Sequence, residues 1–462
     1  MIVLFLETVE RTANVVKVLI KEKKVKLFTQ FDTDGLTSAS IICKMLLREN
    51  VNFQLRVFKQ LTSEIIDNLN VDENDFLILT DFGSGQLNSL KPILEKTHVL
   101  ILDHHEPQKL EHLNLFHINP LLFNDEELSS SIIAYLLAKF MDIKNADLID
   151  LAIVGAVGDE VEEKWKFKGF AKKILEEAET ISKISITKGL RLYGRNSKPI
   201  YQSLAYSFDP FIPNISGSES YAIQFLSELG IDTRSDDEWK KMKDLTIDEQ
   251  QRLAAAIIKE RIKTEEVAED IFGDIYTMIG RPDELQDVRE FSTLLNACGR
   301  TDKASVGIRL CLGDYSILSY SWEILGKYKK SIGDGLKLIR GNGFIRSTDF
   351  GNYILAGDRI KDTIIGTITS MALNSNIADS TKPVFGFAET GDGKIKVSAR
   401  APRNLEINLK QIIVDAVERI GCKKECGGHK LASGAFIPKG KEEEFITTVD
   451  SLLGEIIGSK ES

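Results

Sequence analysis

VLILDHHEP, residues 99–107, sets four apolar residues directly against Asp103, His104, His105, Glu106 and Pro107. An apolar run of that length, cut off by charged and imidazole groups, reads as a buried strand ending at a loop. The chain has six histidines, and two of them stand side by side here. Working outward, KVKLF (25–29), FQLRVF (53–58), DFLILT (75–80) and HVLIL (98–102) are strand-like. SASIICKMLL (38–47), SIIAYLLAKF (131–140) and LIDLAIVGAV (148–157) carry helical apolar spacing. Such alternation predicts a parallel sheet covered by helices on both faces.

At 462 residues the chain is long enough for two or three domains with sizeable cores. It is 43% hydrophobic and 28% charged, as soluble globular proteins are. A formal net charge of −10 argues against a uniformly basic nucleic-acid coat but leaves room for a local basic groove. Cys43, Cys298, Cys311, Cys422 and Cys426 are few, odd in number and scattered, so we expect no disulfide framework and a reducing cytoplasm. Cys422 and Cys426, with His429 nearby, form a C-x3-C without a second ligand pair, a poor match to zinc. MIVLFL meets Glu7 too soon for a signal peptide, and no apolar run approaches the roughly 18 residues of a membrane span.

Composition shifts divide the chain into three expected parts. Residues 1–180 carry the strand and helix alternation. Residues 181–330 are helical and charged, as in DEQQRLAAAIIKERIKTEEVAED (248–270), and serve as a connecting region. A Gly-rich stretch, IGDGLKLIRGNGFIR (332–346), then opens residues 331–462, a smaller α/β domain. Its strands are YILAG (353–357), KPVFGFAE (382–389) and KIKVSAR (394–400), and INLKQIIVDAVERIG (407–421) is its helix.

In an open parallel sheet, ligands bind at the carboxyl ends of the strands. Three predicted strands end in carboxylates: Asp32 and Asp34 in FDTDG, Asp81 in TDFGSG, and Asp103 in DHHEP. A helical stretch delivers Asp159 in VGAVGDE. If the strands are parallel neighbours, Asp32, Asp34, Asp81, His104 and Asp159 converge on one edge. So many carboxylates share a small site only when cations neutralise them. Oxygen ligands with an imidazole suit Mn2+ or Mg2+. Two such ions about 3.5–4 Å apart would clamp a phosphate and activate water. Gly35 and Gly83 would let the backbone pass close to metal or phosphate. Each piece has a plainer reading: Asp at a strand end is often a turn former or a helix N-cap, Asp34 included. Their recurrence at successive element ends argues for a metal phosphoesterase.

These stretches resemble the DHH phosphoesterase superfamily, and within it the archaeal RecJ-like single-strand exonucleases, including the GINS-associated nuclease. The motifs are QFDTDGLTSA (30–39), TDFGSG (80–85), LDHHEP (102–107) and GAVGDE (155–160), with CGGHKLASGAF (426–436) similar to the DHH-associated domain. KGLRLYGRNSKP (188–199), DPFIPNISGSES (209–220) and EFSTLLNACGR (290–300) are similar to that subfamily in particular. The resemblance implies a DHH domain, a helical insert and a DHH-associated domain that binds the strand opposite the metals. It implies metal ligands at Asp32, Asp34, Asp81, His104 and Asp159, with Asp103 bridging or supporting. His105 would face the scissile phosphate as donor or acid. Arg400, Gly427, Gly428 and His429 would bind substrate.

One position departs from the pattern. Archaeal relatives commonly open the first motif with His and bacterial ones with Asp, whereas this chain has Gln30. An amide oxygen is a poorer ligand, so one metal is expected to bind more weakly or through water. The expected activity is metal-dependent hydrolysis of terminal phosphodiester bonds of single-stranded DNA or RNA, in replication or repair. Lys188, Arg191, Arg195 and Lys198 with Tyr193 and Tyr201 suit a single-strand path. So do Lys327, Lys329, Lys330, Lys337, Arg340 and Arg346 near Tyr328 and Phe344. The plainer reading of each cluster is a solvated helix face. The rivals are a scaffold of the replicative helicase that contacts GINS without cutting, and a phosphatase of oligonucleotides or phosphonucleotides.

Overall fold

The computed structural model describes residues 2–458 apart from 124–127, 163–164, 208–209, 236, 264–270, 342, 376, 403, 423–425 and 429. The chain divides into two units, Met1–Ser321 and Trp322–Ser462.

The expected strands form: β1 Lys24–Gln30, β2 Phe53–Phe58, β3 Asp75–Thr80 and β4 His98–Leu102. A fifth, β5 Leu115–Ile118, is too short and too broken by His117 to stand out in the sequence. Their order is β2-β1-β3-β4-β5 and every pairing is parallel. β3 is buried at all six positions, as a strand covered on both faces must be. The helices are α1 Ile2–Glu22, α2 Thr33–Arg48, α3 Ser63–Asp67, α4 Leu87–Leu94, α5 Ser130–Met141, α6 Ile149–Gly158 and α7 Gly169–Thr180. α6 is apolar nearly all round because α2 and α5 both pack on it.

Then come β6 Ile184–Leu190, α8 Ile200–Ala205, α9 Glu219–Glu228, the short pair β7 Arg234–Ser235 and β8 Glu238–Trp239, α10 Ile247–Ile262 and β9 Phe272–Met278. β6 and β9 pair antiparallel beside a separate core that includes Leu192, Tyr201, Ile212 and Leu253. α11 Val288–Arg300 and α12 Ala304–Cys311 return to pack on α2. The approach of α11 is close. A Cβ at Gly299 would lie 1.6 Å from the Phe31 carbonyl oxygen. Gly299→Ala should therefore destabilise the first unit by about 1–3 kcal/mol or more, the range for overpacking, read as a lower thermal midpoint.

The long helix α13 is Leu318–Ile339. It runs through part of the Gly-rich stretch expected to open the last domain. Packing overrides glycine's low propensity here: the Tyr328 hydroxyl meets Thr367 Oγ1 at 3.2 Å. The second unit continues with β10 Ile345–Ser347, β11 Asn352–Gly357, α14 Asp362–Asn374, β12 Val384–Glu389 and β13 Lys394–Arg400. It ends with α15 Leu409–Arg419, β14 Cys426–Gly428, β15 Ala432–Pro438 and α16 Glu442–Gly458. The six-stranded sheet runs β10-β11-β12-β13-β15-β14, parallel only between β11 and β12. Tyr353, Phe385, Phe387 and Phe445 anchor its core. No helix among the described residues is long and apolar enough to cross a membrane.

Candidate metal centre

In a sheet ordered 2-1-3-4-5, the chain leaves β1 towards one side and β3 towards the other, which opens a crevice at their carboxyl ends. Asp32 and Asp34 follow β1, and Asp81 follows β3. Asp103 and His104 follow β4, the next strand over. Asp159 arrives as the C-cap of α6.

His104 is central and 3% exposed. Its Nε2 lies 3.4 Å from Asp81 Oδ1 and 4.0 Å from Asp34 Oδ2, and its Nδ1 lies 3.4 Å from Asp159 Oδ2. Two groups of donor atoms each fall within 4.8 Å of one another: Asp34, His104 and Asp159, and Asp81, Asp103, His104 and His105. Asp32 belongs to neither. It is the N-cap of α2, accepting from Gly35 N at 3.1 Å, so the capping role falls on Asp32 and not on Asp34. Its charge still acts on Asp34, Asp81 and Asp159.

Asp34 is held by the amino end of α5. Ser130 N donates to its Oδ2 at 2.7 Å and Ser131 N to its Oδ1 at 3.0 Å, while Ser130 Oγ donates to Asp81 Oδ1 at 3.2 Å. Asp81 itself sits at φ 64, a left-handed conformation that costs energy in a non-glycine residue. Gln30 explains part of its placement. Oriented so that both ends of its amide find partners, Gln30 donates to Asp81 Oδ2 at 3.0 Å and to Asp81 O at 3.1 Å. Gln30 thus orients a carboxylate. Gly35 also has a plainer reason than ligand access: a Cβ there would lie 2.3 Å from the Gln30 carbonyl oxygen.

Asp103 is fully buried and organises its own loop. Its Oδ1 accepts from His104 N at 2.8 Å and pairs with His105 Nδ1 at 2.7 Å, and its Oδ2 accepts from Ser84 N at 2.9 Å. Behind it, Asn119 Nδ2 donates to Ser84 Oγ at 2.9 Å and to the His105 carbonyl at 2.7 Å. Ser84 Oγ also meets His117 Nε2 at 2.7 Å. Burial pushes His117 down to about 4, so it is a neutral partner at pH 7. Ser84, His117 and Asn119 went unnoticed as contributors in the sequence, because no local spacing marks them. The Ser129–Ser131 run ahead of an apolar helix is an N-cap signal that would have pointed to α5.

Electrostatically the cluster suits a cation. Burial raises the pKa values of Asp34, Asp81 and Asp159, and each carboxylate's neighbours of like charge push the same way. Burial alone would lower His104, but the charges of Asp159, Asp81 and Asp34 raise it well above the usual imidazole range. Buried carboxylate oxygens with one imidazole suit a hard divalent cation, so the donor set fits Mn2+ or Mg2+.

In the second unit, Arg400 ends β13, with Nε donating to Ser370 Oγ at 2.9 Å. Gly427 and Gly428 lie in β14, an edge strand, paired with Gly434 and Ser433. Arg400 pairs with Ala432 on the opposite side of β15, so the sheet brings this arginine and the glycines to its two flanks. His429 lies outside the described residues. The two basic clusters are open only in part: Lys188, Lys327, Lys330, Lys337, Arg340 and Arg346 are exposed, while some of their neighbours turn inward. Arg191 is 2% exposed with its guanidinium over the Trp165 ring, and Tyr201 and Tyr328 are buried. These side chains serve the interior.

A parallel sheet whose carboxyl edge gathers these residues, followed by a second mixed-sheet unit, is the architecture of the DHH phosphoesterase superfamily, in its RecJ-like form. The chain belongs to the DHH family: residues 24–157 match the DHH family N-terminal domain, 192–273 the DHH-CID domain and 351–455 the DHHA1 domain. It is 32% identical to an uncharacterized protein of Methanocaldococcus jannaschii over 97% of this chain and 98% of that one. It is 28% identical to the single-stranded-DNA-specific exonuclease RecJ of Salmonella typhimurium, over 35% of this chain and 29% of the relative. RecJ of Thermus thermophilus, solved in complex with Mn2+, superposes with a TM-score of 0.60 at 16% identity over 97% of this chain. The chain spans only 55% of that RecJ. CDC45 of Entamoeba histolytica superposes with a TM-score of 0.68 at 10% identity, over 97% of this chain and 99% of that one.

Proposed function

We propose that this protein is a metal-dependent exonuclease that hydrolyses terminal phosphodiester bonds of single-stranded DNA or RNA. The observation that carries the reading is His104 within 4.0 Å of the carboxylates of Asp34, Asp81 and Asp159 at the sheet's crevice. In this reading Asp32, Asp34, Asp81, His104 and Asp159 hold Mn2+ or Mg2+, as one ion or two. The ions would neutralise the carboxylates and supply Lewis-acid polarisation of the phosphodiester. Asp103 orients His105, which donates to a phosphate oxygen as the bond to the leaving oxygen breaks. Burial works to raise Asp103, but His105, His104 and the Ser84 amide hold it below the usual carboxylate range, so it stays an anion. Arg400, Gly427, Gly428 and His429 would hold the strand's backbone. RecJ is by name specific for single-stranded DNA, which supports the substrate class. The test is an end-labelled strand, DNA and RNA in parallel, digested across a Mn2+ titration, and metal-dependent laddering is the expected result.

A second reading is a scaffold within the replicative helicase that contacts GINS and does not cut. Gln30 favours it, because the residue steadies Asp81 by donating to it and brings no anionic ligand. The CDC45 likeness of fold is compatible with it. Gln30→His decides how much this position matters. Restoring an imidazole should lower the Mn2+ concentration for half-maximal digestion by about tenfold, within the range that metal-site neighbours contribute. An unchanged Mn2+ requirement would show that position 30 does not govern metal affinity.

A further inference from the structure

Arg195, in the loop after β6, is partly buried, and its Nε and Nη1 are buried with no hydrogen-bond partner among the described residues. A guanidinium stays charged in proteins, and leaving its donors buried and unmet is costly. The acids around it are already engaged. Asp287 caps α11 by accepting from Arg289 N at 3.0 Å and Glu290 N at 3.1 Å. Glu290 accepts from Asn196 N at 2.7 Å and Ser197 N at 3.2 Å. Arg289 is ion-paired with Glu162 and lies over the Trp165 ring, adding a second cation to the neighbourhood. Gly189 lies beside the guanidinium and sets no side chain against it: a Cβ there would stand 3.6 Å from Nη1 and 3.7 Å from Nη2.

We infer that Arg195 binds a phosphate oxyanion, supplied by a phosphodiester of the strand that enters the metal centre. The forked donors of arginine match a phosphate in a bidentate geometry. The loop is tied to the metal centre through one helix. Glu290 on α11 holds Asn196 and Ser197, and two residues on, the Ser292 carbonyl accepts from Thr33 Oγ1 at 2.8 Å. That separation is about 3 Å along the helix axis. Thr33 stands between Asp32 and Asp34. The assignment to a strand rests on the nuclease reading; the oxyanion site itself does not.

The test uses the full chain in EDTA, so that no cleavage occurs. Anisotropy of a fluorescein-labelled dT12 is titrated from 50 to 200 mM NaCl for wild type, Arg195→Gln and Arg195→Lys. Arg195→Gln should weaken binding about tenfold and lower the salt slope by about 0.7, one phosphate's share for a single strand. Arg195→Lys should recover part of the affinity, since an ammonium keeps the charge without the fork. In parallel, inorganic phosphate should raise the thermal midpoint of wild type above chloride of equal ionic strength, and should not do so for Arg195→Gln. Equal strand affinity and slope in wild type and a folded Arg195→Gln would overturn the proposal. If Arg195→Gln does not fold, the wild-type phosphate arm decides: no shift overturns the proposal. A wild type that responds to phosphate but binds no strand would keep the oxyanion site and sink the nuclease reading.

Discussion

Asp159→Ala abolishes metal-dependent digestion of single strands. The loss should exceed the roughly 100-fold found even for partners one step removed from a metal, because Asp159 is a direct donor in the cluster. The choice of residue matters. Asp159 caps α6 at its carboxyl end and faces His104 at 3.4 Å, and its side chain is 25% exposed. Asp34, by contrast, is buried and anchors the amides of Ser130 and Ser131, so its removal would also disturb α5. An end-labelled DNA strand in Mn2+ reads the result, and strand binding in EDTA controls for folding. Digestion by Asp159→Ala at the wild-type rate would show that the cluster is not the catalytic centre.

A divalent cation stabilises the protein, and more strongly at pH 8 than at pH 5.5. The sign follows from the shifts. Asp34, Asp81 and Asp159 have folded pKa values above their unfolded ones, so the stability they contribute is present at low pH and lost as pH rises through the raised values. His104 is also raised, with stability present below about 6.5 and lost as pH climbs through its folded value. Asp103 works oppositely, since its lowered pKa contributes stability that disappears only in acid. In chelator, then, the thermal midpoint should fall between pH 5.5 and pH 8. Mn2+ at a hundred times its dissociation constant should restore about 2.7 kcal/mol once the ligands are deprotonated. Differential scanning fluorimetry with EDTA and Mn2+ at both pH values measures this. A midpoint indifferent to Mn2+ at pH 8 would mean that the carboxylates hold no cation.

Much of this was legible in local pattern. The runs before Asp81 and Asp103 are unbroken apolar segments that end in charge, and both became buried parallel strands. Helical spacing located α2, α5 and α6 to within a few residues, except that α2 begins at Thr33, well before its apolar run. Local pattern failed where composition looked alike in different settings. KGLRLYGRNSKP mixes basic and aromatic residues as a strand-binding face would, yet Arg191 within it and Tyr201 just after it are interior. A guanidinium stacked on tryptophan and one held out for phosphate look identical in a sequence. β5 was invisible for a related reason: a four-residue strand has too few positions for a period to show.

Which residues end the strands is written in the sequence, because a strand's last residue and the charge after it are chain neighbours. From this alone followed the fold class, the DHH resemblance and the expectation that Asp32, Asp34, Asp81, His104 and Asp159 converge on one edge. The strand order that opens the crevice between β1 and β3 depends on pairings far apart in the chain, and so do the contacts that shape the site. The Gln30 amide turned toward Asp81, the Ser130 and Ser131 amides on Asp34, and Arg195 left beside α11 are all set by packing between distant segments, which no local spacing encodes.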